Sequence, residues 1–292
     1  MQNSHQKPTG KIDETSILTK LTRRSFLAVT TATMASCNLF SRSKDQPLPA
    51  KPQSKQPSGR YAPQGPPPKN QAGNHPSNFS ENAGVTFTRV SVLGNYIAIT
   101  FDDGPHPRNT PRLLDMLAAR NIKATFYVIG NSVDANPGIL RRTVAEGHEI
   151  GNHTQTHRLL TKLSDSEVIK DLRQCEEAIG RAAGVRPRTM RPPYGGLLQR
   201  QRQLVLQEFG YPTILWSVDP LDWKRPGPSV VANRIISATS AGGIVLAHDL
   251  HSQTVDAMPQ TLDTLLRRGF KFVTVSQLIA MQVESTPETP TL

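Results

Sequence analysis

The sequence predicts an α/β protein in which a parallel sheet alternates with helices and curls into a small, incomplete β/α barrel. Two observations carry this reading. From about residue 91, short apolar runs of strand length alternate with amphipathic stretches, giving seven strand–helix pairs in about 190 residues. Ionisable residues recur just after those runs, at the carboxyl ends of the strands, where β/α barrels keep their reactive groups.

The predicted strands cover residues 97–101, 124–128, 149–151, 189–191, 213–218, 243–247 and 272–275. Between them, Thr110-Pro111 and Asn136-Pro137 each set a capping side chain before a proline at a first helical position. Ser164 and Glu167 form a capping box that opens a helix reaching about residue 183. On that helix Cys175 shares a stripe with Val168, Leu172 and Ile179, so it reads as a small buried apolar residue. The only other cysteine is Cys37, so no disulfide framework is expected.

The N-terminal third differs in texture. Thr22-Arg23-Arg24-Ser25-Phe26-Leu27 resembles a twin-arginine export motif, and a short apolar run follows it. Met34-Ala35-Ser36-Cys37 resembles a lipobox with Cys37 as the lipidated residue, although methionine replaces the usual leucine. Residues 1–37 therefore read as a signal segment of an exported, periplasmic or cell-envelope protein, whose membrane association is limited to an N-terminal lipid anchor. Residues 38–90 are rich in Pro, Gln, Ser and Gly and poor in large apolar groups, which reads as a disordered linker. The catalytic domain is placed at 91–281 and a disordered tail at 282–292.

Of the net charge of +11, residues 1–90 supply +8 and the remainder only +3. The basicity belongs to the tail rather than to a folded face with aromatics. That argues against a nucleic-acid partner and for a solvated segment near an anionic envelope.

The chemistry is concentrated at the strand ends. Asp102 and Asp103 follow the first predicted strand and His153 the third; Arg191 ends the fourth, Asp219 and Asp222 follow the fifth, and His248 the sixth. Asp103, His153 and His157 make a three-residue set of the kind that holds a catalytic zinc and leaves room for water. Asp102, next to a ligand, is placed to act as base, and Arg191 is suited to pair with it. His248 after a buried strand suits a general acid, with Asp222 the preferred carboxylate partner and Asp219 the alternative. Trp223 and Leu246 are candidates for the wall of an acetyl-sized pocket, and the N–H of Tyr194 is a candidate oxyanion donor.

Five ordered motifs now stand together: Thr100-Phe101-Asp102-Asp103-Gly104, His153-Thr154-Gln155-Thr156-His157, Arg191-Pro192-Pro193-Tyr194, Asp219-Pro220-Leu221-Asp222-Trp223 and Leu246-Ala247-His248. In these the chain resembles the polysaccharide deacetylases, the NodB-homology domains of carbohydrate esterase family 4. The resemblance implies a distorted (β/α)7 barrel and a divalent metal, usually zinc, with cobalt or another divalent ion as alternatives. It implies hydrolysis of N-acetyl groups on an acetylated amino sugar. By that analogy Asp102 is the base, Asp103, His153 and His157 are ligands, His248 is the acid tuned by Asp222, and Tyr194 supplies an oxyanion N–H.

The stretch His248-Asp249-Leu250-His251 with Thr254-Val255-Asp256-Ala257 looks most like the peptidoglycan N-acetylglucosamine deacetylase branch. The expected protein is a monomeric hydrolase acting on peptidoglycan. Alternative substrates are chitin oligosaccharides, another secreted polysaccharide or an O-acetyl ester. From another class come a non-catalytic glycan-binding module, disfavoured by the intact base, ligand and acid positions, and a metal phosphoesterase, disfavoured by the lack of a second carboxylate cluster.

Overall fold

The computed structural model describes residues 86–283. The signal segment, Cys37, most of the linker and the tail from residue 284 lie outside them.

The centre is β2 (Tyr96–Asp102), whose residues beyond Tyr96 are all buried. It has β3 (Thr125–Val128) on one side and β6 (Ile244–Val245) on the other, both parallel. β4 (Glu149–Asn152) extends the sheet beyond β3, and β7 (Lys271–Phe272) pairs with the start of β2. β5 (Thr213–Ile214) pairs with β1 (Thr86–Phe87), again parallel. Single-residue parallel bridges join these pieces: Asn152 to Met190, Met190 to Thr213, and Val218 to Val245. The pairings thus run from β2 through β3, β4, Met190, β5, Val218 and β6 back to β2.

Six of the seven predicted segments lie in this circuit and the seventh, as β7, pairs with β2 from outside it, but several are shorter than expected. The segment 189–191 contributes only the bridge at Met190, and 213–218 is a strand only at Thr213–Ile214. In 213–218 the partner changes: Leu215 donates to the carbonyl of Phe87, while Ser217 and Val218 both donate to that of Ile244. Prolines at 187, 192 and 193 flank 189–191. A proline offers no N–H to a ladder, so regular pairing is cut short.

The predicted domain limits also move. Phe87 and Val90, assigned above to the linker, are buried in the fold, with β1 paired to β5. A two-residue strand leaves no alternating pattern to read. At the other end Gln282 bridges Val92, and Val283 donates to the carbonyl of Ser91 at 2.9 Å.

Helices cover the outside: α1 (Asn109–Ala118), α2 (Gly130–Ala135), α3 (Pro137–Ala145), α4 (Asp165–Ala183), α5 (Gln199–Phe209), α6 (Pro228–Ala238), α7 (Ser252–Arg267) and α8 (Val275–Ala280). The Ser164–Glu167 capping box is formed, and Gly184 ends α4 in the left-handed conformation at φ 69°. Asn136 precedes Pro137 as predicted, but its amide donates to the carbonyls of Pro105 and Ser132 rather than capping. Thr110 lies inside α1, not before it; the cap is supplied by His106, whose Nδ1 accepts from the N–H groups of Arg108 and Asn109. Among the described residues no helix is long and apolar enough to cross a membrane.

Strand alternation sorts β2 into two faces. Ile97, Ile99 and Phe101 pack outward against α1, α4, α6 and α7, in one apolar cluster with Phe126 and Val128. Ala98 belongs to a separate cluster with Tyr127 and Ile214. Thr100 and Asp102 share that second face by the same period of two. A fully buried Arg191 reaches both of them there.

Candidate active site

The end of β2 makes a sharp turn, with Asp103 at φ 76° directly after the strand. Further non-glycine residues adopt positive φ in the surrounding loops: Thr154 (67°), His157 (56°), Tyr194 (60°) and Leu221 (54°). Such conformations persist only where neighbouring contacts over-determine them. Here those contacts are visible. Asp171 of α4, buried on the helix face, accepts from the N–H groups of Gln155 and Thr156 and from the Thr156 hydroxyl. Asn152 accepts from the N–H of Thr154, and the Thr154 hydroxyl accepts from the N–H of His157.

This bracing brings His153 and His157 to Asp103. Their Nε2 atoms lie 3.4 and 3.2 Å from its Oδ1, and the three candidate ligand atoms are all within 4.8 Å of one another. The Asp103 Oδ1 is buried and has no hydrogen-bond partner among the described residues. Ligands of a tetrahedral zinc at about 2.0–2.2 Å stand roughly 3.3–3.5 Å apart, so the residues fit such an ion. His153 presents Nε2 because its Nδ1–H donates to the carbonyl of Arg191 at 2.7 Å.

The electrostatics make the same demand. Burial disfavours the charged Asp103 carboxylate, yet the two imidazoles hold it well below the usual carboxylate range. Burial also disfavours a charged His153, yet Asp102 and Asp103 raise its pKa. The pocket favours positive charge between these side chains, which is what a divalent cation supplies.

Asp102 is only 2% exposed. Its Oδ1 accepts from Arg191 Nη1 at 2.7 Å, while Oδ2 faces the triad, 3.9 Å from His153 Nε2. Every nitrogen of Arg191 has a protein acceptor: it also donates to Thr100 Oγ1 and to the carbonyls of Ile214 and Leu215, and its guanidinium lies 4.3 Å from the Tyr127 ring centre. Burying a guanidinium is tolerable only with a counter-charge and hydrogen-bond partners of this kind.

On the other side, His248 Nδ1 is 2.8 Å from Asp222 Oδ1. Asp222 is wholly buried and accepts also from the His248 N–H, the Thr254 hydroxyl and the Trp223 N–H. Burial disfavours a charged His248, but Asp222, with smaller contributions from Asp102 and Asp103, pushes its pKa up to about 9. Asp219 is exposed and accepts from the N–H of Leu221, so of the two predicted partners Asp222 is the one in place.

The predicted acetyl-pocket residues are less concentrated. Trp223 is half exposed and Leu246 buried, and neither lines the cavity of about 530 Å³ that adjoins Asp103 and His157. Pro105, His106, Ser132 and Leu250 line it instead. Tyr194 is exposed, with its ring 4.9 Å from that of His157. The sequence does not single out Asp171 or Asn152, and Thr100 and Thr254 stand in its motifs without a role. Only Asp171 carried a signal, as a lone carboxylate on the apolar stripe of α4.

Comparison with known proteins agrees with this geometry. Residues 90–214 match the family model described as polysaccharide deacetylase. The chain is 41% identical over 188 residues to the peptidoglycan-N-acetylglucosamine deacetylase PgdA of Listeria monocytogenes, a match covering 64% of this chain but only 40% of that protein. It is 40% identical over 204 residues to a peptidoglycan-N-acetylglucosamine deacetylase of Bacillus cereus, covering 68% of this chain and 95% of that one. Among solved structures, peptidoglycan deacetylase PdaC from Bacillus subtilis superposes with a TM-score of 0.61 at 37% identity, over 64% of this chain and 91% of that one. With its motifs, its parallel α/β fold and these relatives in agreement, the chain belongs to the polysaccharide deacetylase family.

Proposed function

We propose that this protein is a divalent-metal-dependent hydrolase that removes N-acetyl groups from N-acetylglucosamine residues of peptidoglycan, on a distorted (β/α)7 barrel exported to the cell envelope. The observation that carries the chemistry is the asymmetry of Asp102: Arg191 occupies one oxygen and the other faces the triad. The names of the relatives support the polymer, and the Arg23-Arg24 motif supports export. Anchoring through Cys37 and a monomeric state complete the reading.

Asp103, His153 and His157 would hold the ion, with zinc favoured by their one-oxygen, two-nitrogen donor set. When bound, it supplies a Lewis acid at the acetyl carbonyl and an acidified water. Asp102, held by Arg191, takes the proton of the attacking water through its free oxygen. The N–H of Tyr194 donates to the developing oxyanion. His248, charged before the reaction, gives its proton to the departing amine, and Asp222 keeps the ring oriented and cationic.

The direct test is acetate release from intact peptidoglycan and from chitin oligomers in parallel, with and without a chelator. Chelator-sensitive release from peptidoglycan is expected. Release from oligomers alone would move the substrate to chitin-like glycans, and none from either, despite bound metal, would favour another acetylated polymer or a binding module.

The acid has its own signature. The His248 pKa lies above the ordinary histidine value, so the charged form persists in the fold and is lost as pH rises through about 9. In Asp222→Asn the largest supporting charge is gone. The alkaline limb of the kcat profile should fall by about 1–3 pH units. An unmoved limb would remove His248 from the role of acid.

A further inference from the structure

The cavity beside the triad contains a group that the acetyl chemistry does not use. We propose that His106 is a specificity-determining residue, whose neutral ring donates an Nε2–H hydrogen bond to a sugar hydroxyl of the glycan held in that cavity. The inference rests on the glycan-deacetylase reading above.

The tautomer follows from the backbone. His106 Nδ1 accepts from the N–H groups of Arg108 and Asn109, at 3.2 and 3.1 Å. A nitrogen that accepts two such bonds carries no proton, so in the neutral ring the proton is on Nε2. Charging the ring would forfeit both bonds. Partial burial and the Arg108 charge also push its pKa down.

The ring is fixed as well as neutral. The N–H of His106 donates to Thr110 Oγ1 at 2.7 Å, and that hydroxyl is bonded to the fully buried Asp249. Nε2 has no protein partner among the described residues, and the residue lines the cavity shared with Asp103 and His157. Its volume of about 530 Å³ is that of a small-ligand site.

A helix cap alone does not require an imidazole, since Asn, Asp or Ser caps as well. What histidine adds is a rigid donor at the far end of the ring, directed away from the backbone it caps. A fixed neutral donor suits a hydroxyl oxygen, and it does so without competing for charge with the metal site.

The test compares the full-length wild type with His106→Asn and His106→Ala on two kinds of substrate: the glycan that the wild type deacetylates, either soluble peptidoglycan fragments or chitin oligomers, and para-nitrophenyl acetate, which has no sugar. Asparagine keeps an acceptor for the cap and removes the Nε2–H; alanine removes both. For the asparagine variant the glycan KM should rise about 3- to 10-fold, the worth of one neutral hydrogen bond, with ester hydrolysis, bound metal and Tm unchanged. The alanine variant should show the same glycan defect plus a lower Tm. An unchanged glycan KM in the asparagine variant, or an equal loss on both substrates, would overturn the assignment. If the wild type hydrolyses the ester but releases no acetate from any glycan, the glycan reading itself fails and takes this inference with it.

Discussion

Asp102→Asn is expected to lower acetate release by about a hundred- to ten-thousand-fold while leaving bound metal at the wild-type level. The substitution changes one function and spares the others. An asparagine carbonyl still accepts from Arg191, where Asp102 now does so at 2.7 Å. The oxygen 3.9 Å from His153 becomes an amide nitrogen, which cannot take a proton. Asp103, His153 and His157 are untouched, so the ion's ligands remain. The fully buried Arg191 loses its counter-charge but keeps Thr100 and two carbonyls as acceptors. A stability loss of about 1–3 kcal/mol follows from weakening one charged hydrogen bond. Assays should therefore run well below the lowered melting transition. Near-full turnover with full metal would show that another group deprotonates the water.

Much of this site is legible in the sequence because strand ends in parallel α/β folds converge. Once 97–101, 149–151 and 243–247 are read as strands of one parallel sheet, Asp102, His153 and His248 must lie at one end of it. Residue type then assigns each a chemistry. What is not legible is how the loops hold their shape. Asp103, Thr154, His157 and Tyr194 all have positive φ, and no local propensity announces that in an Asp, a Thr, a His or a Tyr. The groups that impose it act at a distance: Asp171 from α4 on Gln155 and Thr156, and Thr254 from α7 on Asp222. The strand lengths are not legible for a related reason. The apolar run 213–218 reads as one strand, but its backbone partner changes within it from Phe87 to Ile244, which depends on residues remote in sequence. The role of His106 is hidden in the sequence because Thr110-Pro111 offers a more conventional cap one turn later, whereas in the fold the Thr110 hydroxyl is committed to Asp249.

The second large effect is expected from His153→Ala, which should abolish both metal binding and acetate release. His153 is 3% exposed and fixed by its Nδ1–H to the Arg191 carbonyl, so no nearby side chain can take over its Nε2. Its loss leaves Asp103 Oδ1 with His157 as the sole imidazole. Two ligands do not hold a catalytic zinc against dilution. A thermal measurement separates this from simple misfolding. An ion that binds only the folded chain stabilises it by about 4 kcal/mol at a thousandfold excess over Kd. For a domain of this size that raises Tm by roughly 10 °C. Zinc should raise the wild-type Tm by about that much and leave the Tm of His153→Ala unchanged, although the variant still melts cooperatively. The variant's own metal-free Tm should be lower, because the Arg191 carbonyl loses its donor and a buried ring is replaced by a void. If zinc raised the two transitions equally, His153 would not be a ligand, and the donor set would have to be redrawn around Asp103, His157 and Asp102.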